Sequence, residues 1–229
     1  MPDAVQCVGA DLCDELRGSS DTSFTLTYEG DPPSRDLGGT PSFRILADLS
    51  PLCVGHLLVV PLEHRLSFSS LVVSHGDELS ELLDRVLPRY RATFGQLAIL
   101  EHGSSSEMET SACVTHAHWH LLPVPVHRIN AFLVEDGLVP TRLDQISDLA
   151  RYAGSSYFFC SDGSIGSVYG VGRKMRSQYL RSIAGRQLGI EDPLWDYSMV
   201  VRKEDLRTTM VRARGLTGPG VGSRQPKGL

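Results

Sequence analysis

Apolar positions recur along this chain with two different periods, and the switches between them mark out its elements. Residues 7 to 18 read as a short helix closing at Gly18. Phe24 to Tyr28 alternates in the manner of a strand. Three prolines and three glycines make Gly30 to Pro41 a loop, longer than a hairpin needs. Ser42 to Asp48 and Gly55 to Pro61 read as strands, the second apolar throughout except where His56 enters it. From Ser74 to Gly95 the period becomes helical, with Leu79, Leu82, Leu83, Val86, Leu87, Tyr90 and Phe94 on one stripe. Ser74 and Asp77 supply an N-cap signature, and Pro88 predicts a bend or break. Gln96 to Leu100 returns to a strand.

The densest chemistry follows. His116, His118 and His120 alternate with Ala117, Trp119 and Leu121. In a strand successive side chains face opposite ways, so the three imidazoles line one face about 7 Å apart while the apolar residues pack beneath. Val114 and Thr115 before them and Pro123 after them favour the strand over a helix. Imidazole serves as nucleophile, general acid or metal ligand, and an incidental cluster is the plain alternative.

Beyond Pro123 the pattern predicts a helix over Leu143 to Tyr152 and a β-hairpin of Ser156–Cys160 and Ile165–Gly170 around Asp162-Gly163. An amphipathic helix over Met175 to Leu188 carries Arg176, Arg181 and Arg186 and follows Arg173 and Lys174. These bases suit a solvated face; the other reading sends Arg176, Gln178 or Arg181 to a bound phosphate. Residues from about 212 on are rich in Gly and Pro and read as a disordered tail.

Composition narrows the classes. The net charge of −5 gives no global basic field for nucleic acid. No apolar run approaches the ~20 residues of a membrane span, and Met1-Pro2-Asp3-Ala4 does not open a signal peptide. Five cysteines, an odd number, suit reduced thiols in the cytoplasm.

Two blocks together resemble the histidine triad (HIT) family of nucleotide hydrolases and transferases. The first is the strand ending at Asp48 before Ser50-Pro51, then Gly55-His56-Leu57-Leu58-Val59-Val60-Pro61-Leu62-Glu63-His64; the second is His116-Ala117-His118-Trp119-His120-Leu121-Leu122. The resemblance implies an α+β, HIT-like fold, an antiparallel sheet of about five strands with the long helix packed on it. The HIT domain would span 1–126, followed by a C-terminal α/β extension over 127–211 and the tail, 212–229. It further implies a nucleotide or nucleotidylated small molecule as substrate and a homodimer formed through the long helix and an edge strand; charge and hydropathy point to no nucleic-acid or membrane partner.

By the resemblance His118 attacks the α-phosphorus to give a covalent nucleotidyl-histidine, with the His116 carbonyl taking its Nδ1–H. His120 and backbone N–H groups near Cys113 stabilise the phosphoryl oxygens, and His116 orients the strand and polarises the leaving oxygen. Asp48 holds the ribose hydroxyls; an Asx turn into Ser50-Pro51 is the plain alternative and is compatible with that role. His56 supports the triad, and Leu46 and Leu49 floor a base pocket. No cofactor is required; a structural zinc on Cys7, Cys13, His64 and His116 is implied, although the spacing of Cys7 and Cys13 departs from the family's C-x-x-C.

Another departure is Glu101-His102-Gly103 and Ser111-Ala112-Cys113 where the family has Asn-x-Gly and Gly-Gln-Ser. A phosphate donor is lost and Glu101, Glu107 and Glu109 add negative charge, which disfavours highly anionic dinucleoside polyphosphates. Hydrolysis or phosphorolysis of a nucleotidyl compound is the leading expectation. Nucleotidyl transfer to a metabolite, nucleotide binding without turnover, and a metal-centred hydrolase are the others.

Overall fold

The structure is a computed structural model and describes residues 11–105, 116–172 and 175–218. Cys7, Glu107, Glu109 and Cys113 lie outside the described residues, as does the tail beyond residue 218.

One antiparallel sheet runs through the molecule. Its strands are β1 (Asp36–Gly39), β2 (Phe43–Ala47), β3 (Leu57–Pro61), β4 (Ala98–Gly103), β5 (Trp119–Leu122), β6 (Pro140–Leu143), β7 (Tyr157–Ser161) and β8 (Gly166–Gly170). Their order is β1-β2-β3-β5-β4-β7-β8-β6. The sheet therefore has eight strands, not about five. The difference arises because the hairpin around Asp162-Gly163 and β6 continue the sheet: β7 pairs with β4 from Ile99↔Ser161 to Gly103↔Tyr157, and β6 pairs with β8.

The helices are α1 (Asp11–Leu16), α2 (Ser23–Tyr28), α3 (Phe68–Ser74), α4 (Gly76–Phe94), α5 (Val126–Glu135), α6 (Tyr179–Gln187) and α7 (Lys203–Arg212). A 3-10 helix covers Ile146–Tyr152, and Leu143 of the expected helix instead ends β6. Helix α2 replaces the strand expected at Phe24–Tyr28. Thr22 caps it by accepting the Thr25 N–H, and Phe24 and Tyr28, one turn apart, stack with centroids 5.0 Å apart. A strand would have put Leu26 on their buried side; here it is exposed. The Gly30–Pro41 segment is also more ordered than a loop, since β1 forms within it and pairs with β2.

Helix α4 begins after His75, and Ser74 ends α3 with its hydroxyl on His75 Nδ1, so the expected cap is absent. The helix runs through Pro88 unbroken. Pro88 and Asp84, whose carbonyl loses its partner, both face solvent, where water can replace the missing bond. The apolar stripe of α4 packs on one face of the sheet against Phe43, Ile45, Val59, Trp119 and Leu121. The other face is covered in two parts. Leu12 of α1 sits on Leu46, Leu58 and Val60, while α5 and α6 sit on Leu100, Leu122 and Phe158. His120 pairs with Leu58 on one side and Leu100 on the other, so it lies in the seam between these covers. No helix among the described residues is long and apolar enough to cross a membrane.

Candidate functional site

Only His120 of the three alternating histidines belongs to a regular strand; His116 to His118 precede β5 and are tied by the Ala117 N–H to the Arg65 carbonyl. The alternation still holds beneath them, with Ala117, Trp119 and Leu121 in the core under α4. Above, His118 and His120 meet edge to face, centroids 4.8 Å apart. His116 turns aside toward α1. The three imidazoles therefore divide into a pair and a single.

Hydrogen bonds fix which nitrogen of each ring carries the proton. His118 Nδ1–H donates to the His116 carbonyl at 2.8 Å, which leaves the Nε2 lone pair of a neutral ring free. The Leu52 N–H donates to His56 Nδ1 at 3.1 Å, so neutral His56 holds its proton on Nε2. That proton goes to His120 Nδ1, 2.9 Å away, and His120 in turn keeps its own on Nε2. Burial holds His118 below the ordinary histidine range, against the hydrogen bond to the His116 carbonyl. Burial likewise pushes His56 down to about 4 and His120 well below its ordinary value. All three are neutral at pH 7, as the relay of single protons requires. The result is an Nε2 base on His118 beside an Nε2–H donor on His120.

His56 is held in place by its neighbour Gly55. The Gly55 N–H donates to Thr209 Oγ1 at 2.8 Å and its carbonyl accepts from Tyr90 O–H at 2.7 Å. Gly55 has φ of 94°, and a Cβ there would meet the Phe94 ring at 2.8 Å, so only glycine serves. Thr209 comes from α7, a contribution with no sequence signal.

Asp48 closes the site. Its Oδ1 accepts the Ser50 N–H at 2.9 Å, forming the Asx turn, and also Arg181 Nη1 at 3.2 Å. Its Oδ2 lies 3.6 Å from His56 Nε2 and 3.9 Å from His120 Nδ1. Burial alone would raise its pKa, but the positive partners hold it well below the carboxylate range. With His56 and His120 neutral, the cations that achieve this at pH 7 are Arg181, in direct contact, and Arg35. Arg181 is 7% exposed and also donates through Nη2 to the Ser50 carbonyl at 2.7 Å. The expectation of a solvated basic face on this helix is therefore wrong for Arg181, whose turn of α6 packs inward.

Other expected residues are placed differently. Leu46 lies under α1, whereas Leu49 packs against the core on the α4 side, so the two do not form one floor. Glu101 turns away from the histidines and is fully buried. It accepts from the Phe68 N–H at 2.7 Å and from Trp119 Nε1–H and Tyr157 O–H, both at 2.9 Å. Its charge does not face the site, which removes one of the three acids argued to repel polyphosphates. His102, two residues beyond Leu100 on β4, falls on the histidine side with its ring edge-on to Phe158. Nothing in the sequence reading assigned it a role.

No protein-family model and no curated protein matches this chain. Solved structures of histidine triad proteins do resemble it. A Zn-bound histidine triad family protein from Mycobacterium smegmatis is 22% identical, with a TM-score of 0.33, over 46% of this chain and 76% of that one. A HIT-like protein of Bartonella henselae is 15% identical, with a TM-score of 0.33, over 46% and 81%. A hypothetical histidine triad nucleotide-binding protein of Sulfolobus tokodaii is 12% identical, with a TM-score of 0.34, over 87% and 99%. At these identities and TM-scores the likenesses assign no role to any residue.

Among the described residues two clusters have the composition of a metal centre, and their protons separate them. Cys13, His64 and His116 form the first. Cys13 Sγ lies 3.0 Å from His116 Nδ1 and 3.3 Å from His64 Nδ1, and His116 Nε2–H donates to the Pro61 carbonyl at 2.7 Å. The His116 lone pair thus faces the thiol, with a carbonyl orienting the ring from behind, as zinc sites are built. Cys7, the fourth expected ligand, lies outside the described residues. Asp48, His56 and His120 form the second cluster. There the Leu52 N–H occupies His56 Nδ1, so the proton sits on the nitrogen that a metal would need. Neutral His56 cannot ligate there, and a metal-centred hydrolase at this cluster is disfavoured.

Proposed function

We propose that the protein cleaves a nucleotidyl compound at its α-phosphate through a covalent nucleotidyl-histidine on His118. The observation that supports this reading is the His118 Nδ1–H bond to the His116 carbonyl, which leaves an uncharged Nε2 lone pair free. His118 Nε2 attacks the α-phosphorus, the P–N bond forms and the bond to the leaving oxygen or nitrogen breaks with its electron pair. His120 Nε2–H donates to a non-bridging oxygen as charge builds on it. Water or phosphate then attacks the same phosphorus, releasing His118 and the nucleoside phosphate. The histidine at the third triad position favours hydrolysis or phosphorolysis over transfer to a metabolite, because the uridylyltransferase branch carries Gln beside its nucleophile.

Zinc belongs to this proposal as a structural ion. Cys13, His64 and His116 would hold it, and its chemistry there is a crosslink between α1, the turn after β3 and the entry to β5. It takes no part in the reaction.

The test is the intact mass of quenched protein after incubation with nucleoside 5′-phosphoramidates, dinucleoside polyphosphates and nucleotide sugars. An acid-labile adduct of one nucleoside monophosphate on wild type, missing in His118→Ala, is the expected result. Full activity in His118→Ala on any accepted nucleotide would refute the mechanism. Saturable binding with neither adduct nor product would leave a nucleotide-binding module.

A further inference from the structure

The Asp48 carboxylate is already half used by the protein itself. Asp48 Oδ1 accepts two hydrogen bonds, from the Ser50 N–H at 2.9 Å and from Arg181 Nη1 at 3.2 Å. A carboxylate oxygen has two lone-pair sites, so Oδ1 is saturated. Nor is Arg181 readily moved aside. Its Nη2 donates to the Ser50 carbonyl at 2.7 Å and reaches the Trp195 carbonyl at 3.4 Å. Behind it, Gly185 of the same helix lies so close to Trp195 that a Cβ there would meet that side chain at 2.7 Å.

Oδ2 is different. Its neighbours His56 Nε2 and His120 Nδ1 stand at 3.6 and 3.9 Å, beyond hydrogen-bond reach. The one proton between them is the His56 Nε2–H, and it is directed to His120 at 2.9 Å. Oδ2 therefore has acceptor capacity to offer a ligand, and Oδ1 has none.

A carboxylate that reads a vicinal diol gives one oxygen to each hydroxyl. Here a single oxygen is available. Resting on the nucleotide reading above, with Asp48 at the sugar as the resemblance implies, we propose that Asp48 anchors one sugar hydroxyl only, the 3′-OH common to both sugars, so that the site takes 2′-deoxyribonucleotides as readily as ribonucleotides. Arg181 of the C-terminal region is then a specificity-determining residue, acting by sequestering Oδ1.

Titration calorimetry of the intact protein with AMP, GMP, UMP and CMP, each against its 2′-deoxy counterpart, tests this without turnover. A second hydroxyl–carboxylate hydrogen bond would favour the ribo form by about tenfold or more. For every base that binds, a ratio of dissociation constants below about fivefold is expected, and a ribose preference at or above about fivefold overturns the proposal. Arg181→Met frees Oδ1, and its ribose preference should rise above that of wild type; a folded variant with an unchanged ratio overturns the role given to Arg181. If Arg181→Met does not fold, the wild-type ratio decides alone. Should none of the eight nucleotides bind, the nucleotide reading falls and this proposal with it. Equal binding of both sugars without any nucleotidyl adduct would sink only the catalytic reading.

Discussion

His56 sets the proton position on His120 through one hydrogen bond, and that gives a test at the level of a single atom. His56→Phe keeps the ring and removes the Nε2–H that His120 Nδ1 accepts. His120 can then place its proton on either nitrogen, and the donor presented to the phosphoryl group is lost part of the time. We expect kcat for nucleotidyl transfer to fall about tenfold with KM little changed. A KM increase with intact kcat would mean that His56 acts on binding instead. Zinc gives a second test. Metal analysis of purified protein should find about one zinc per chain, with His64→Ala losing most of it. Of these details the sequence showed the residues, not the tautomers. His56 and its partner stand 64 positions apart, and the Leu52 N–H that fixes the proton is a backbone group that any residue but proline supplies.

Among the elements, β4 has its two faces assigned to two tasks. Glu101 on one side ties α3, β5 and β7 together, and His102 on the other packs edge to face with Phe158 on the histidine side. Gly103 ends the strand where Tyr157 crosses it, and a Cβ there would lie 2.3 Å from that ring. Gly103→Ala should displace Tyr157 from Glu101 and lower stability by about 1–3 kcal/mol, read from denaturant unfolding with an unchanged m-value. A variant as stable as wild type would show that the ring can shift freely. The strands β2 and β3, helix α4 and the hairpin were legible because their periodicity and turn residues agree with their burial. Phe24–Tyr28 was misread for a reason visible in its ends: alternation over five residues cannot outweigh a cap and an aromatic pair spaced for a helix. The inward turn of Arg181 was illegible too, since its partner lies 133 residues earlier.

Across the whole molecule the charges predict how stability depends on pH. Burial pushes His56 and His102 down to about 4. The unfolded chain takes up these protons near pH 6.5, so their contribution is full above that value and is lost as pH falls from about 6.5 toward 4. Burial also raises Glu101 to about 7, against the three donors around it. The folded chain therefore keeps a proton that the unfolded chain releases above about 4.5, and Glu101 contributes less as pH rises from 4.5 to 7. With His118 and His120 also held below their ordinary value, the histidines outweigh the one carboxyl, so the thermal midpoint should fall between pH 6.5 and 4. Glu101→Gln should steepen that fall, and a flat profile in both proteins would contradict the assignment. The sheet makes a prediction of its own. With β7 paired along β4, that strand has no edge left for a second copy. Light scattering should give a mass near the 25.1 kDa of one chain; twice that mass would mean that copies meet elsewhere.

The contacts that finish the site are drawn from far along the chain. Gly55 waits for Thr209, Ser50 donates its hydroxyl to the Val200 carbonyl, and Asp48 meets Arg181. During synthesis the triad strand emerges long before these partners do, so the ribosome releases an N-terminal half whose carboxylate and histidines are still unsupported. Competence should arrive late, once residues 181 to 209 have joined the sheet, and chains truncated before that point should carry every histidine of the site without the arginine and threonine that complete it.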